Sequence, residues 1–288
     1  MEKLFKNRLF SFAAVVFVYV LAAIVGILFY KSLPFSYWIN LLVADVLATL
    51  FVFLFSIIFS NASVYDPYWS VQPIVIVLAY SFGARVDLLG ILLISVICLW
   101  GVRLTANWAY VFGDLTHEDW RYIMLREKTG AVYPIINFVG IHLVPTLVVY
   151  GCTLPAVYAL RNGGEVNALT VVFLSVSVLA VVLQAVSDIQ MQSFRKAKPT
   201  PFIRKGIWKY SRHPNYLGEI LMWWGVALAV VSVFPSAWYL IAGALTNTLL
   251  FTFVSIPMAE GRQSRKAGYE EYKAQTRVLL PIKRKASH

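Results

Sequence analysis

The stretch ALTVVFLSVSVLAVVLQAVSDIQ, residues 168–190, decides the fold class. Its first twenty residues carry no charge, and about 20 apolar residues are what a helix needs to cross a hydrocarbon layer of about 30 Å. Comparable apolar runs occupy roughly 9–30, 38–59, 71–83, 86–111, 132–160, 217–233 and 236–257. The run at 71–83 is short and suits a tilted or re-entrant segment. Composition points the same way: 59% of the 288 residues are hydrophobic and 14% charged, whereas soluble domains carry about 25% charged residues. The expected fold is all-α, a polytopic integral membrane protein with seven or eight transmembrane helices in a single membrane domain, 1–288.

Basic residues set the expected orientation, because cytoplasmic loops are enriched in Lys and Arg. With eight spans and the N-terminus inside, the outer loops hold Lys31, Arg85 and Arg161, three cations against twenty-one inside, and Arg103 falls within a span. Both termini are then cytoplasmic, in a bacterial inner membrane or the endoplasmic reticulum. The net charge of +11 is a topology signal, and its spread over several loops argues against a nucleic-acid partner. Cys98 and Cys152 both lie in apolar runs, which offers neither a disulfide framework nor a metal site. No GxGxxG, GxxxxGK[ST], HExxH or GxSxG motif occurs, so a nucleotide cofactor has to bind among membrane helices and their loops.

Polar residues inside apolar helices recur at helical spacing. Trp100, Arg103, Asn107 and Tyr110 share one face of the run at 86–111, and Gln184, Asp188, Gln192 and Arg195 share one face of the run at 168–190 and its extension. Asn215 and Glu219 are i, i+4 partners just after Arg212-His213-Pro214. Pro214 suits the first turn of a helix, with His213 at its entrance. Ionisable groups at membrane depth are costly and mark functional sites. The simplest geometry turns the three stripes toward one polar cavity open to the cytoplasm. The loop cations Arg195, Lys196, Lys198, Arg204, Lys205, Lys209 and Arg212 suit an anionic ligand. The structural alternative is that Arg103, Asp188 and Glu219 pair and fix helix packing.

The run Arg212-His213-Pro214-Asn215-Tyr216-Leu217-Gly218-Glu219 resembles the signature of membrane sterol and steroid reductases, in particular the steroid 5-alpha-reductase-like DUF1295 group. Three further segments resemble that group in order: Asn61 to Ser70, His117 to Tyr122, and Gly268 to Lys273 followed by Leu279-Leu280-Pro281. The resemblance covers roughly 40–282. It implies a helical membrane enzyme that binds NADPH among its C-terminal helices, 112–288, with substrate-side residues in the N-terminal helices, 1–111. A hydride would pass to an enone-type carbon–carbon double bond of a lipophilic substrate entering from the bilayer, with no obligate protein partner. Carried over residue by residue, Asn215 and Glu219 would lie at the nicotinamide end, Asp188 would hold polar parts of the cofactor and Arg195 its phosphates. Arg103, Asn107, Tyr210, Arg212, His213, Tyr216, Glu260 and Tyr272 complete the implied cofactor site. The family's ketone-polarising tyrosine is Trp100 here, and its glutamate has Tyr65, Asp66 or Tyr68 as possible replacements.

Two other readings stand beside it. Isoprenylcysteine-type methyltransferases share an Arg-His-Pro-x-Tyr-x-Gly motif and would bring S-adenosylmethionine, although the Asn215 to Glu219 form is the reductase version. A transporter would show repeats and a polar path across the bilayer, and neither is visible in the sequence.

Overall fold

In the computed structural model, residues 2–82, 85–197 and 200–281 are described; Lys198, one of the expected loop cations, lies outside them. The described residues are overwhelmingly helical. Among the described residues, seven helical stretches are long and apolar enough to cross a membrane: Arg8–Ser32, Tyr37–Ile58, Leu88–Val111, Trp120–Asn162, Ala168–Ala197, Pro214–Val233 and Pro235–Gln263. The short apolar run forms a helix of 14 residues, Tyr68–Ser81, with Pro73 inside it. At 1.5 Å per residue that is about 21 Å, below the roughly 30 Å of hydrocarbon. The chain is therefore an integral membrane protein by the length and hydropathy of its helices.

Two stretches depart from regular α-helix. Residues Asn137–Leu143 and Phe251–Ser255 are π-helical, a geometry that re-aims side chains and recurs at functional sites. Pro155 lies inside the Val144–Asn162 helix.

The chain divides into two compact units. One comprises Met1–Arg85 with Trp100–Thr153, and the other Val86–Leu99 with Leu154–His288.

The core of the first unit is aromatic. Tyr65, Tyr68, Tyr122 and Tyr133 are buried with Val15, Val18 and Val52, and Phe51, Phe55, Trp69 and Trp108 pack against them. In the second unit the Ala168–Ala197 and Pro214–Val233 helices pack closely because small residues face each other. A Cβ on Gly218 would come within 2.7 Å of the Ala180 carbonyl oxygen, and one on Gly225 within 2.6 Å of the Phe173 carbonyl oxygen. Small residues that let backbones approach are how membrane helices gain van der Waals contact. Gly218 of the Tyr216-Leu217-Gly218-Glu219 signature thus serves packing.

Candidate functional site

In the first unit, two of the segments singled out in the sequence interlock. Asn61 caps the 3-10 turn Ala62–Tyr65 by accepting from the Ser63 N–H at 2.8 Å. Its amide nitrogen donates to the carbonyls of Leu115 at 2.7 Å and His117 at 3.1 Å. In return, Glu118 Oε1 accepts from the Ala62 N–H at 2.8 Å, and the Asp119 N–H donates to Ser63 Oγ at 2.8 Å. Tyr122 donates its hydroxyl to Asp66, and the Arg121 guanidinium lies 3.9 Å from the same carboxylate. Burial pushes the Asp66 carboxyl up to about 6, against the opposing pull of Arg121 and the Tyr122 hydrogen bond.

That value carries a sign. The folded state holds the Asp66 proton more tightly than the unfolded chain, whose carboxyl sits near 3.8, so the contribution to stability falls as pH rises from about 4 to about 6. Asp66→Asn is expected to flatten this part of the stability profile, read as the unfolding midpoint of detergent-solubilised protein between these pH values. A profile of unchanged slope would contradict the buried environment of Asp66.

The other substrate-side candidates sit deeper. The Tyr65 side chain is 2% exposed, and its hydroxyl shares a hydrogen bond with Thr146 Oγ1 at 2.8 Å. Thr146 Oγ1 in turn lies 3.0 Å from Thr49 Oγ1. Tyr68 packs against Tyr65 and Tyr19 with ring centroids 5.6 and 5.5 Å apart. Trp100 is fully buried with its ring edge-on to Trp69. Arg103 and Asn107 lie half-buried on the same helix.

Sequence reading missed part of this polar group. Asp45 accepts from the Gln72 amide, and both residues are buried, as are His142 and Thr146. The signal was there as i, i+4 polar pairs in apolar helices: Asp45 with Thr49, Tyr68 with Gln72, and His142 with Thr146.

In the second unit, the Arg-His-Pro segment is locked by the C-terminal segment. Glu260 Oε1 accepts from Arg212 Nε at 2.8 Å, from His213 Nε2 at 2.8 Å and from the Tyr269 hydroxyl at 2.9 Å. Arg212 Nη1 also donates to the carbonyl of Lys273 at 3.1 Å and to that of Thr276. The backbone N–H groups of Arg212 and His213 donate to the carbonyls of Arg277 and Val278 at 3.0 and 3.1 Å. Tyr272 donates its hydroxyl to the Trp208 carbonyl, and Phe202 fills the space between Tyr269 and Tyr272. Gly268, at φ 78°, precedes the Tyr269–Gln275 helix, a left-handed position at which glycine avoids a Cβ clash.

Past this lock, His213 is the residue at the entrance of the Pro214–Val233 helix, with Pro214 in its first turn. Tyr216 stacks on the His213 ring at 5.1 Å and 7°. Asn215 Oδ1 is buried and accepts no hydrogen bond among the described residues. Glu219, 4% exposed, accepts from Trp223 Nε1 at 2.9 Å. Asp188 is half-buried, Tyr210 and Arg195 exposed. Lys266 donates to the Pro201 carbonyl at 2.7 Å. Burial first, then repulsion from Arg262 and Arg195, lowers the Lys266 ammonium below its ordinary range. Arg195 therefore belongs to a group of three cations that includes two residues the sequence reading did not select.

The model of the family described as "Protein of unknown function (DUF1295)" matches residues 52–276. The chain belongs to the DUF1295 family. The match spans the four segments singled out in the sequence, up to Thr276. An uncharacterized protein of Schizosaccharomyces pombe is 26% identical over 192 residues, 57% of this chain and 56% of the yeast protein. The aligned part thus spans little more than half of that relative. No solved structure matches the chain.

Proposed function

We propose that the protein is a membrane-embedded, NADPH-dependent oxidoreductase that reduces an enone-type carbon–carbon double bond in a lipophilic substrate. The observation that carries this reading is the buried Asn215 Oδ1, which accepts no hydrogen bond among the described residues, in the same compact unit as the cations Arg195, Arg262 and Lys266. Clustered cations suit the phosphates of a dinucleotide. They do not suit S-adenosylmethionine, which has no phosphate and is cationic at sulfur. Asn215 fits the other end of the cofactor: its unpartnered Oδ1 can accept from a carboxamide N–H such as that of nicotinamide.

NADPH supplies the hydride, and the chain binds and aligns the reactants. Arg195, Arg262 and Lys266 hold phosphate, Asn215 and Glu219 orient the nicotinamide end, and Asp188 holds polar parts of the cofactor. Arg212, His213, Glu260 and Tyr272 keep the C-terminal segment in place beside them, and Tyr216 is fixed by its stack on His213. Of the substrate-side candidates, Asp66 is engaged by Tyr122 and Arg121, and Trp100 is packed on Trp69. The Tyr65 hydroxyl is likewise engaged, by Thr146, and Tyr68 completes the candidates for polarising the substrate carbonyl. Both termini lie in the cytoplasm, supported by the cation bias, and the lipophilic substrate enters from the bilayer.

Thermal shift of detergent-purified protein with NADPH, NADH and S-adenosylmethionine tests the reading, since a ligand of the folded state raises its stability by RT ln(1 + [L]/Kd). NADPH is expected to stabilise the protein and Asn215→Ala to abolish the shift with its unfolding midpoint retained. Stabilisation by S-adenosylmethionine alone would replace the reductase reading with a lipid methyltransferase.

A further inference from the structure

The Tyr37–Ile58 span carries a carboxyl in its interior, Asp45, which is 6% exposed. Among the described residues no cationic side chain pairs with it. Ionisable groups at membrane depth mark functional sites. A carboxylate in an apolar interior needs a compensating partner, a proton or a cation.

A second observation lies beside it. Gln72, 4% exposed, donates an amide N–H to Asp45 Oδ2. The oxygen of the same amide is buried and accepts no hydrogen bond among the described residues, although buried polar atoms nearly always have partners. The nitrogen and oxygen of an amide are about 2.2 Å apart. With the hydrogen bond added, Gln72 Oε1 lies within about 5 Å of Asp45 Oδ2. One ion at about 2.3–2.6 Å from each oxygen spans that separation. The spacing of the two oxygens is therefore fixed by a single hydrogen-bonded pair of side chains.

The surroundings narrow the kind of ion. Thr49 follows Asp45 by one turn on the same helix face and is buried, with its Oγ1 3.0 Å from Thr146 Oγ1. The buried phenols of Tyr65 and Tyr68 feel the Asp45 charge. Carboxylate and carbonyl oxygens suit hard cations. Among the described residues no three of His, Cys, Asp or Glu come together, so one carboxylate balances one positive charge and a divalent ion lacks its further anionic ligands. Close cover by Thr49, Tyr65 and Tyr68 suits a bare ion better than an organic ammonium, whose substituents need room.

We propose that Asp45 and Gln72 Oε1 bind a monovalent inorganic cation, with sodium as the probe and the Thr49 hydroxyl as a third oxygen on the same face. The ion cancels the carboxylate charge and gives Gln72 Oε1 its partner. The site is independent of the cofactor reading, since it lies wholly in the first unit and needs no nucleotide.

The test uses detergent-purified full-length protein without nucleotide, with sodium chloride exchanged for choline chloride at constant ionic strength. The readouts are the unfolding midpoint and the binding of radioactive sodium at equilibrium. Sodium is expected to raise the midpoint saturably, as a ligand of the folded state does, and to bind at about one ion per chain. Asp45→Asn keeps the side-chain size and is expected to abolish both signals. Gln72→Met removes the amide oxygen and is expected to weaken sodium binding about tenfold or more. If Asp45→Asn fails to fold, Gln72→Met and the direct binding measurement decide. Equal midpoints in the two salts, or sodium binding undiminished in either variant, would overturn the proposal. The first of these outcomes would assign a proton alone to Asp45.

Discussion

Glu260→Ala is expected to release the C-terminal segment from the mouth of the Pro214–Val233 helix and to lower stability by about 3–5 kcal/mol, the scale for breaking a buried ion pair from one side. The carboxylate is the shared acceptor of Arg212, His213 and Tyr269, and the Arg212 side chain is only 5% exposed. Removing Glu260 leaves a buried guanidinium with backbone carbonyls alone, and the Tyr269 hydroxyl without its acceptor. The double variant Arg212→Met with Glu260→Leu should lose less than the sum of the single losses, because both ends of the pair go together. Unfolding midpoints and protease sensitivity at residues 262–277 measure this. A midpoint unchanged in Glu260→Ala would show that the segment is held by the aromatic cluster of Phe202, Tyr269 and Tyr272 instead.

Gly225→Ala is the second large effect, and it acts through shape alone. The added Cβ would lie 2.6 Å from the Phe173 carbonyl oxygen, a backbone atom that cannot rotate away. Ser177, on the same side, is tied to the Met222 carbonyl at 2.9 Å. The two helices have to move apart, and overpacking of this kind costs about 1–3 kcal/mol. Gly225→Leu should prevent the close pairing and reduce the yield of folded protein in detergent. Gly261 is the control: nothing lies within 4 Å of a Cβ built there, so Gly261→Ala is expected to be neutral or slightly stabilising through its gain in helix propensity. Equal behaviour of the alanine variants at 225 and 261 would contradict the close helix approach.

Much of the site was legible as motifs but not as partnerships. Asn61 to Ser70 and His117 to Tyr122 stood out separately in the sequence, and only the fold revealed that Asn61, Ser63 and Asp66 are bonded to the 115–122 segment. Likewise Arg212 read as an anion binder, whereas its Nε and Nη1 are engaged by Glu260 and by the carbonyls of Lys273 and Thr276. A sequence displays a guanidinium's charge but not what shares its burial. Lys266 and Arg262 drew no notice in the sequence, because nothing in their spacing announces an electrostatic influence of Arg195 on Lys266.

What the sequence by itself determined is the membrane-spanning, all-helical class, since runs of about 20 uncharged residues have one stable environment and one way to satisfy their backbone there. It also determined where the Pro214–Val233 helix begins, because proline is favoured in a first turn, where its missing N–H costs nothing. Only the tertiary structure decided that Gly218 and Gly225 serve close packing, and that the buried Asn215 Oδ1 accepts no hydrogen bond among the described residues. Those properties depend on which atoms from distant parts of the chain come within about 3–4 Å, the range over which steric contact and hydrogen bonding act, and no local pattern of residues encodes that distance.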